Sequence, residues 1–137
     1  MKVRIKTVSR MGDDRDHLEA AQRHVHHGEW EIGKTESILR YGDETGESPA
    51  RVTLRMREDG EITLLREGEN SVEMAFHLGE VKGGTWNSSY GSLELAIATH
   101  HMELSGDDSG GRLFLSYDTM SEGQHISSVS FEWIWKC

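Results

Sequence analysis

The sequence predicts an all-β fold, a single antiparallel β-barrel of about eight to ten strands. From Arg51 to Trp135, short segments alternate apolar and polar residues, which is the period of a half-buried strand. Turn signals rich in Gly, Asp, Asn and Ser separate these segments at hairpin spacing. The last segment places Val129, Phe131, Trp133 and Trp135 on one face, where they can dominate a shared core.

The first third of the chain is the least regular part of the pattern. Residues 2–9 alternate well enough to form a first strand, with Val3 and Ile5 on the same face. Gly12-Asp13-Asp14 predicts a turn. Residues 18–32 then predict one long strand, bent or interrupted by a bulge.

Stronger hairpin signals divide the rest of the chain. Asp59-Gly60 is a tight-turn pair between two alternating segments. Gly83-Gly84 weakens one later strand and predicts a bend there. The glycine-rich stretch 105–111 predicts a loop. The remaining expected strands are residues 37–41, 51–57, 62–66, 72–77, 81–86, 93–104, 112–120 and 125–135.

Closure of this sheet is expected on physical grounds. Pairing the first strand with the last removes the unpaired edges that otherwise promote aggregation. A barrel of this size either holds one small ligand or is filled by its own side chains. The sequence leaves that choice open, because a one-residue shift in register exchanges the inner and outer faces.

Composition places the chain among folded proteins. With 137 residues, 35% hydrophobic and 28% charged, residues 1–137 are expected to form one domain around a sizeable core. No segment approaches the roughly 20 apolar residues that span a bilayer, and no secretory signal opens the chain, so a cytoplasmic location is expected. A formal charge of -9 disfavours binding to nucleic acid or to anionic membranes.

Gly28-Glu29-Trp30-Glu31-Ile32-Gly33-Lys34-Thr35 satisfies the letters of a phosphate-binding loop. That motif requires a helix immediately after it, whose N-terminus faces the phosphates. Here barely one turn's length separates Thr35 from the next glycine loop, and hairpins follow. Nucleotide binding is therefore not expected, and no cofactor is predicted.

A metal site is an alternative interpretation of the histidine pattern. His24 and His26 are two residues apart, so both imidazoles face the same side of a strand. With Glu31 they offer ligand types that suit a divalent metal. No second histidine block supports this site, and histidines of the barrel wall or surface are the favoured explanation of the pattern.

A ligand cavity is the more favoured site hypothesis. Trp86, Tyr90, Tyr117 and Trp133 are candidate lining residues, since small-molecule pockets combine apolar walls with a few polar groups. Arg66 ends an otherwise apolar face and is the candidate contact for an acidic group. For these residues taken by themselves, the pattern favours the alternative that the aromatic side chains form the core while the arginine reaches solvent at a rim.

Two segments show a family resemblance, EITLLREGENSVEMAFHLGEVKGGTWNSSYGSLELAIAT and GRLFLSYDTMSEGQHISSVSFEW. They resemble the YwiB-like bacterial proteins, a family of unknown function, over Arg51 to Trp133. The specific pieces are LLREG at Arg66, SSYGSLEL at Tyr90 and LFLSYD at Tyr117. The resemblance implies a calycin-like, lipocalin-like β-barrel and supplies no catalytic residues.

Three functions follow as expectations. The first is binding of a small amphipathic or acidic molecule without chemical change, through Arg66, Trp86, Tyr90, Tyr117 and Trp133. The second is a structural or protein-interaction module with a filled barrel, for which homodimerisation is left open. The third is a metal-dependent enzyme that uses the His-x-His pair.

Overall fold

The computed structural model describes all 137 residues and contains ten β-strands and no helix. It therefore confirms the all-β prediction. No segment forms a helix long and apolar enough to cross a bilayer. The strands are β1 Lys2–Gly12, β2 Gln22–Ile32, β3 Glu36–Asp43, β4 Ala50–Arg57, β5 Ile62–Glu67, β6 Ser71–Phe76, β7 Val81–Ser88, β8 Gly91–Asp107, β9 Gly110–Ser121 and β10 Gln124–Lys136.

The ten strands form one closed antiparallel barrel in which each strand pairs with its neighbours in the chain. Closure occurs between the first and last strands, where Arg4 lies opposite Lys136 and Gly12 lies opposite Ser128. The connections after β1, β3, β5, β7 and β9 lie at one end, which we call the mouth. Both chain termini and the other four connections lie at the opposite end, which we call the base.

Alternating side chains fill the inside of the barrel. On β10, Val129, Trp133 and Trp135 are buried on the inner face, as the sequence pattern predicts. On β5, Ile62 and Leu64 are likewise buried inside. In total, 18 buried apolar residues form a single core cluster, and they come from every strand except β7, so hydrophobic burial holds nine of the ten strands around one lumen.

Tryptophans close the core toward the base. The rings of Trp30 and Trp135 lie 4.9 Å apart between centroids, and the Trp30 indole N–H donates to the carbonyl of Asp107 at 3.0 Å. That bond fastens the β8–β9 hairpin across the base. The lumen is therefore sealed at the base by aromatic packing.

Two local expectations differ from the structure. The strand expected over 18–32 begins at Gln22 and pairs without a register shift on either side. Residues 105–111, expected as a loop, continue β8 and β9 as a ladder with a two-residue connection, because Gly106 and Gly111 pair directly across it. At Gly83-Gly84, where the sequence predicts a bend, β7 continues as one strand, and its pairing with β6 ends at Gly84.

Candidate functional site

A row of inner-face side chains crosses four neighbouring strands on the mouth side of the core. Arg66 on β5 lies opposite Val72, Val72 lies opposite Trp86, and Trp86 lies opposite Leu93 on β8. Trp86 and Leu93 are 38% and 37% exposed although they face inward, and Met11 on β1 is 56% exposed in the same way. The mouth therefore presents apolar surface to solvent, next to one arginine.

Arg66 is held by a carboxylate of β3. Its Nη2 donates to Oδ2 of Asp43 at 3.3 Å, and the two side chains are 35% and 16% exposed. Oδ1 of the same carboxylate accepts bonds from the backbone N–H and the hydroxyl of Thr45, at 2.9 and 2.5 Å. Burial by itself raises the pKa of Asp43, but these bonds and the charges of Arg66 and His26 outweigh it and lower the pKa.

His24 and His26 lie on the same side of β2, as the sequence predicts, and that side is the inner face. His26 is buried, its Nε2 lies 3.4 Å from the hydroxyl of Thr7, and its ring stacks on Tyr41 at 4.6 Å between centroids. Burial lowers the pKa of His26, which favours the neutral imidazole. His24 is part-exposed, and its ring centroid lies 6.2 Å from that of His26.

Glu31 does not join them. It lies on the outer face of β2 and forms an ion pair with Arg40 at 3.3 Å, whereas its neighbour Trp30 is buried inside. A carboxylate on the outer face of a strand cannot bind the same metal ion as histidines on its inner face. The structure holds no group of three or more His, Cys, Asp or Glu residues placed to bind a metal.

Tyr117 and Trp133 belong to the core. Trp133 is fully buried, and its indole N–H donates to the Tyr41 hydroxyl at 2.9 Å. Burial raises the pKa of Tyr41 to about 12. Tyr117 packs edge-to-face on Phe76, and burial holds its pKa well above the ordinary value. These residues form the interior beneath the mouth.

Tyr90 lies apart from the other expected lining residues. It occupies the two-residue connection between β7 and β8 and is 99% exposed. Its backbone N–H donates to the hydroxyl of Ser88 at 3.2 Å, which orders the turn without using the ring. Of the five expected lining residues, only Arg66 and Trp86 share one surface.

The well-formed cavities open on the outer wall, at the rims or at the base, and none occupies the lumen. One groove of about 520 Å³ at the base is lined by Trp30, Ile32, Leu104 and the turn Gly33-Lys34-Thr35. The phosphate-loop letters therefore fall on a strand and a three-residue turn into β3. They offer no helix N-terminus, as the sequence predicts.

Sequence reasoning missed a polar cluster on the outer wall. Asp118 on β9 is bonded by His100 Nε2 at 2.8 Å and by the buried hydroxyl of Ser128 at 2.6 Å, and His125 Nε2 lies 3.7 Å away. A register shift in β8 and another in β10 occur beside the two histidines. The sequence shows the histidines at positions 100 and 125, but only the pairing of β8, β9 and β10 brings them to the same carboxylate.

That cluster is not a hydrolytic triad. In such triads one imidazole nitrogen faces the serine and the other faces the carboxylate. Here the same atom, His125 Nε2, faces both Ser128 Oγ at 3.2 Å and Asp118, and Ser128 donates its proton to Asp118. The arrangement joins three strands through hydrogen bonds and does not activate the serine.

Comparisons with known proteins agree with this architecture. The family described as "Domain of unknown function (DUF1934)" matches residues 3–132. The chain is similar to the crystal structure of the ywiB protein from Bacillus subtilis, with a TM-score of 0.79 and 18% sequence identity over 98% of this chain and 90% of that one. At that identity the likeness shows the fold. No curated protein matches the chain. The chain belongs to the DUF1934 family of unknown function, because the match to that family extends over nearly the whole chain and the YwiB-like sequence pattern agrees with it.

Proposed function

We propose that this protein binds a small amphipathic or acidic molecule at the mouth of the barrel and does not transform it. The observation that carries the proposal is the row Arg66, Val72, Trp86 and Leu93. Part-exposed apolar side chains lie next to a half-buried guanidinium, and small-molecule sites combine these two kinds of surface. The expected setting of this activity is the cytoplasm.

Packing below the mouth limits the size of the ligand. Tyr117 and Trp133 are buried in the filled core and support the site from beneath, without an open channel into the lumen. A ligand therefore rests its apolar part on Trp86 and Leu93 and directs its polar group toward Arg66. Tyr90 contacts only a ligand that extends beyond the rim.

Binding is favoured over catalysis by the state of the polar groups near the mouth. Burial raises the pKa of the Tyr41 and Tyr117 hydroxyls, so neither ionises readily to act as a base. The imidazole of His26 is covered by the ring of Tyr41. These features support recognition and supply no activated nucleophile.

Trp86 makes the proposal directly testable. It is the only one of the four tryptophans that is exposed, so acrylamide quenching of fluorescence reports mainly on the mouth. We expect decyl maltoside or decanesulfonate, each below its critical micelle concentration, to protect this fluorescence in a saturable way. Trp86→Phe should abolish the optical signal while calorimetry still detects binding.

Arg66→Ala should weaken decanesulfonate binding by about tenfold, since one charge-assisted hydrogen bond is lost. Arg51→Ala is the matched control, because Arg51 is an exposed outer-face arginine on the adjacent strand. Absence of saturable binding of both compounds by calorimetry would contradict the proposal.

A filled lumen also favours a second candidate function, that of a protein-interaction module. The same exposed residues, Met11, Trp86 and Leu93, then meet a second copy of the chain or another protein. Sedimentation analysis of the purified protein separates the two functions. A dimer that Trp86→Ser dissociates supports the interaction module, and a monomer that binds amphiphiles supports the ligand site.

A further inference from the structure

The two oxygens of the Asp43 carboxylate have different partners. Oδ1 accepts two bonds from Thr45 and so orders the start of the β3–β4 connection. Oδ2 accepts one bond from Arg66. The bond to Arg66 can therefore be exchanged for another acceptor while the turn at Thr45 keeps its own bonds.

Arg66 has donor capacity that the protein does not use. A guanidinium carries five N–H donors, and the bond to Asp43 is the only hydrogen bond from this side chain to the protein. Arg66 is 35% exposed at the mouth, whereas Asp43 is 16% exposed and already accepts three bonds. A ligand group that accepts hydrogen bonds can therefore bind to unused N–H donors of Arg66. A ligand group that donates hydrogen bonds meets only the Asp43 carboxylate, which already has three partners.

We propose that Asp43 is a built-in competitor, a carboxylate that occupies Arg66 until the anionic group of a ligand replaces it. The inference rests on the proposed binding function and names its ligand class, an amphiphile with a carboxylate, sulfonate or similar anionic group. It also makes Asp43 the residue that sets how strongly the mouth prefers anions. The ion pair with Asp43 supports this ligand class, because Arg66 already binds a carboxylate oxygen in the protein.

Ligand displacement, and not protonation, releases Arg66 near neutral pH. Although burial opposes ionisation, hydrogen bonds from Thr45 and the nearby charges keep the pKa of Asp43 below its ordinary value. The carboxylate therefore stays charged and keeps competing. The connections at the mouth also disfavour the approach of an anionic ligand, since they contain eight carboxylates and a single cation, Arg15.

Asp43→Asn is the decisive variant. The amide oxygen of asparagine can still accept the bonds from Thr45, while its NH₂ group cannot accept a bond from Arg66. We expect decanesulfonate, which stays ionised throughout, to bind roughly three- to tenfold more tightly to this variant by calorimetry. Uncharged decyl maltoside should bind with unchanged affinity.

Asp107→Asn is the matched control. Asp107 forms the same kind of turn, accepting from the N–H and hydroxyl of Ser109 at 2.8 and 2.6 Å, but it lies at the base and lacks an arginine partner. The substitution Asp107→Asn removes the same formal charge as Asp43→Asn and should leave the affinity for decanesulfonate unchanged. Circular dichroism verifies the fold of each variant, and Asp43→Ser replaces the asparagine variant if that one does not fold.

The outcomes separate the two proposals. If the wild type binds both compounds and Asp43→Asn does not tighten sulfonate binding, Asp43 is not a competitor, although the binding site stands. Equal tightening by Asp107→Asn reduces the effect to net charge and also overturns the inference. If neither compound binds any variant, both proposals fail.

Discussion

At the residue scale, the neighbours of a side chain decide its role more than its type does. The sequence correctly placed Trp133 on the inner face of β10, but only the structure shows its full burial and its bond to Tyr41. Arg66 and Trp86 share a row because β5 to β8 pair in one particular register. Alternation gives the face of each residue, whereas depth depends on how ten strands tilt and close.

Asp118 provides a test of stability at this scale. Burial alone raises its pKa, but hydrogen bonds from Ser128 and His100 and the charges of His100 and His125 lower the pKa below its ordinary value of 3.8. A depressed folded-state pKa contributes stability above pH 3.8, and that stability is lost as pH falls through the folded value. We expect Asp118→Asn to cost about 1–2 kcal/mol at pH 7 and much less near pH 3.

Urea unfolding at the two pH values measures this difference. The control is Asp13→Asn, an exposed residue of the β1–β2 connection, which should change the free energy of unfolding little at either pH. A cost for Asp118→Asn that is equal at pH 7 and pH 3 would show that the charge of Asp118 does not matter.

At the element scale, the β8–β9 hairpin shows where turn signals mislead. Gly106, Gly110 and Gly111 suggest a loop, yet all three lie in the ladder. At Gly111 the absence of a side chain makes room for a tryptophan ring. A Cβ on Gly111 would contact the indole of Trp135, with Cε2 at 2.8 Å, and a Cβ on Gly106 would lie 3.5 Å from the Trp30 ring. Glycine is needed here because a neighbouring side chain occupies the space of its Cβ. Composition alone cannot distinguish such a glycine from one that marks a turn.

Gly111→Ala tests this explanation. The added methyl group clashes with the buried Trp135 ring and lies 2.6 Å from the carbonyl oxygen of Ser105. We expect a loss of about 1–3 kcal/mol in the free energy of unfolding, the usual range for overpacking. Gly83→Ala is the control, since a Cβ at that strand position meets nothing within 4 Å. Similar effects of the two substitutions would argue for backbone entropy as the cause.

At the scale of the whole molecule, closure brings the two ends of the chain together. β1 pairs with both β2 and β10, and Cys137 Sγ lies 3.3 Å from Met1 Sδ at the base. The β1–β2 connection, residues 13–21, is the longest in the barrel. The position of β1 is thus fixed by two ladders rather than by its covalent link to β2.

A circular permutant tests this picture. Joining Cys137 to Met1 through a linker of about three to five residues and opening the chain between Asp16 and His17 should preserve a cooperatively folding barrel. Urea unfolding followed by circular dichroism is the measurement. Opening the chain between Leu115 and Ser116 instead cuts β9 inside the core and should prevent folding. Failure of the first permutant would show that barrel closure needs the original β1–β2 hairpin.

The sequence by itself determined the fold class, the grouping of apolar residues on one face of most strands and the mismatch of the phosphate-loop letters with their surroundings. Each of these depends on local periodicity and turn chemistry, which neighbouring residues express directly. Only the tertiary structure decided that the lumen is filled, that Asp43 occupies Arg66, and that Asp118 gathers two histidines and a serine. Those features join residues 7 to 23 positions apart across different strands, or the whole chain at once, so no local pattern contains them.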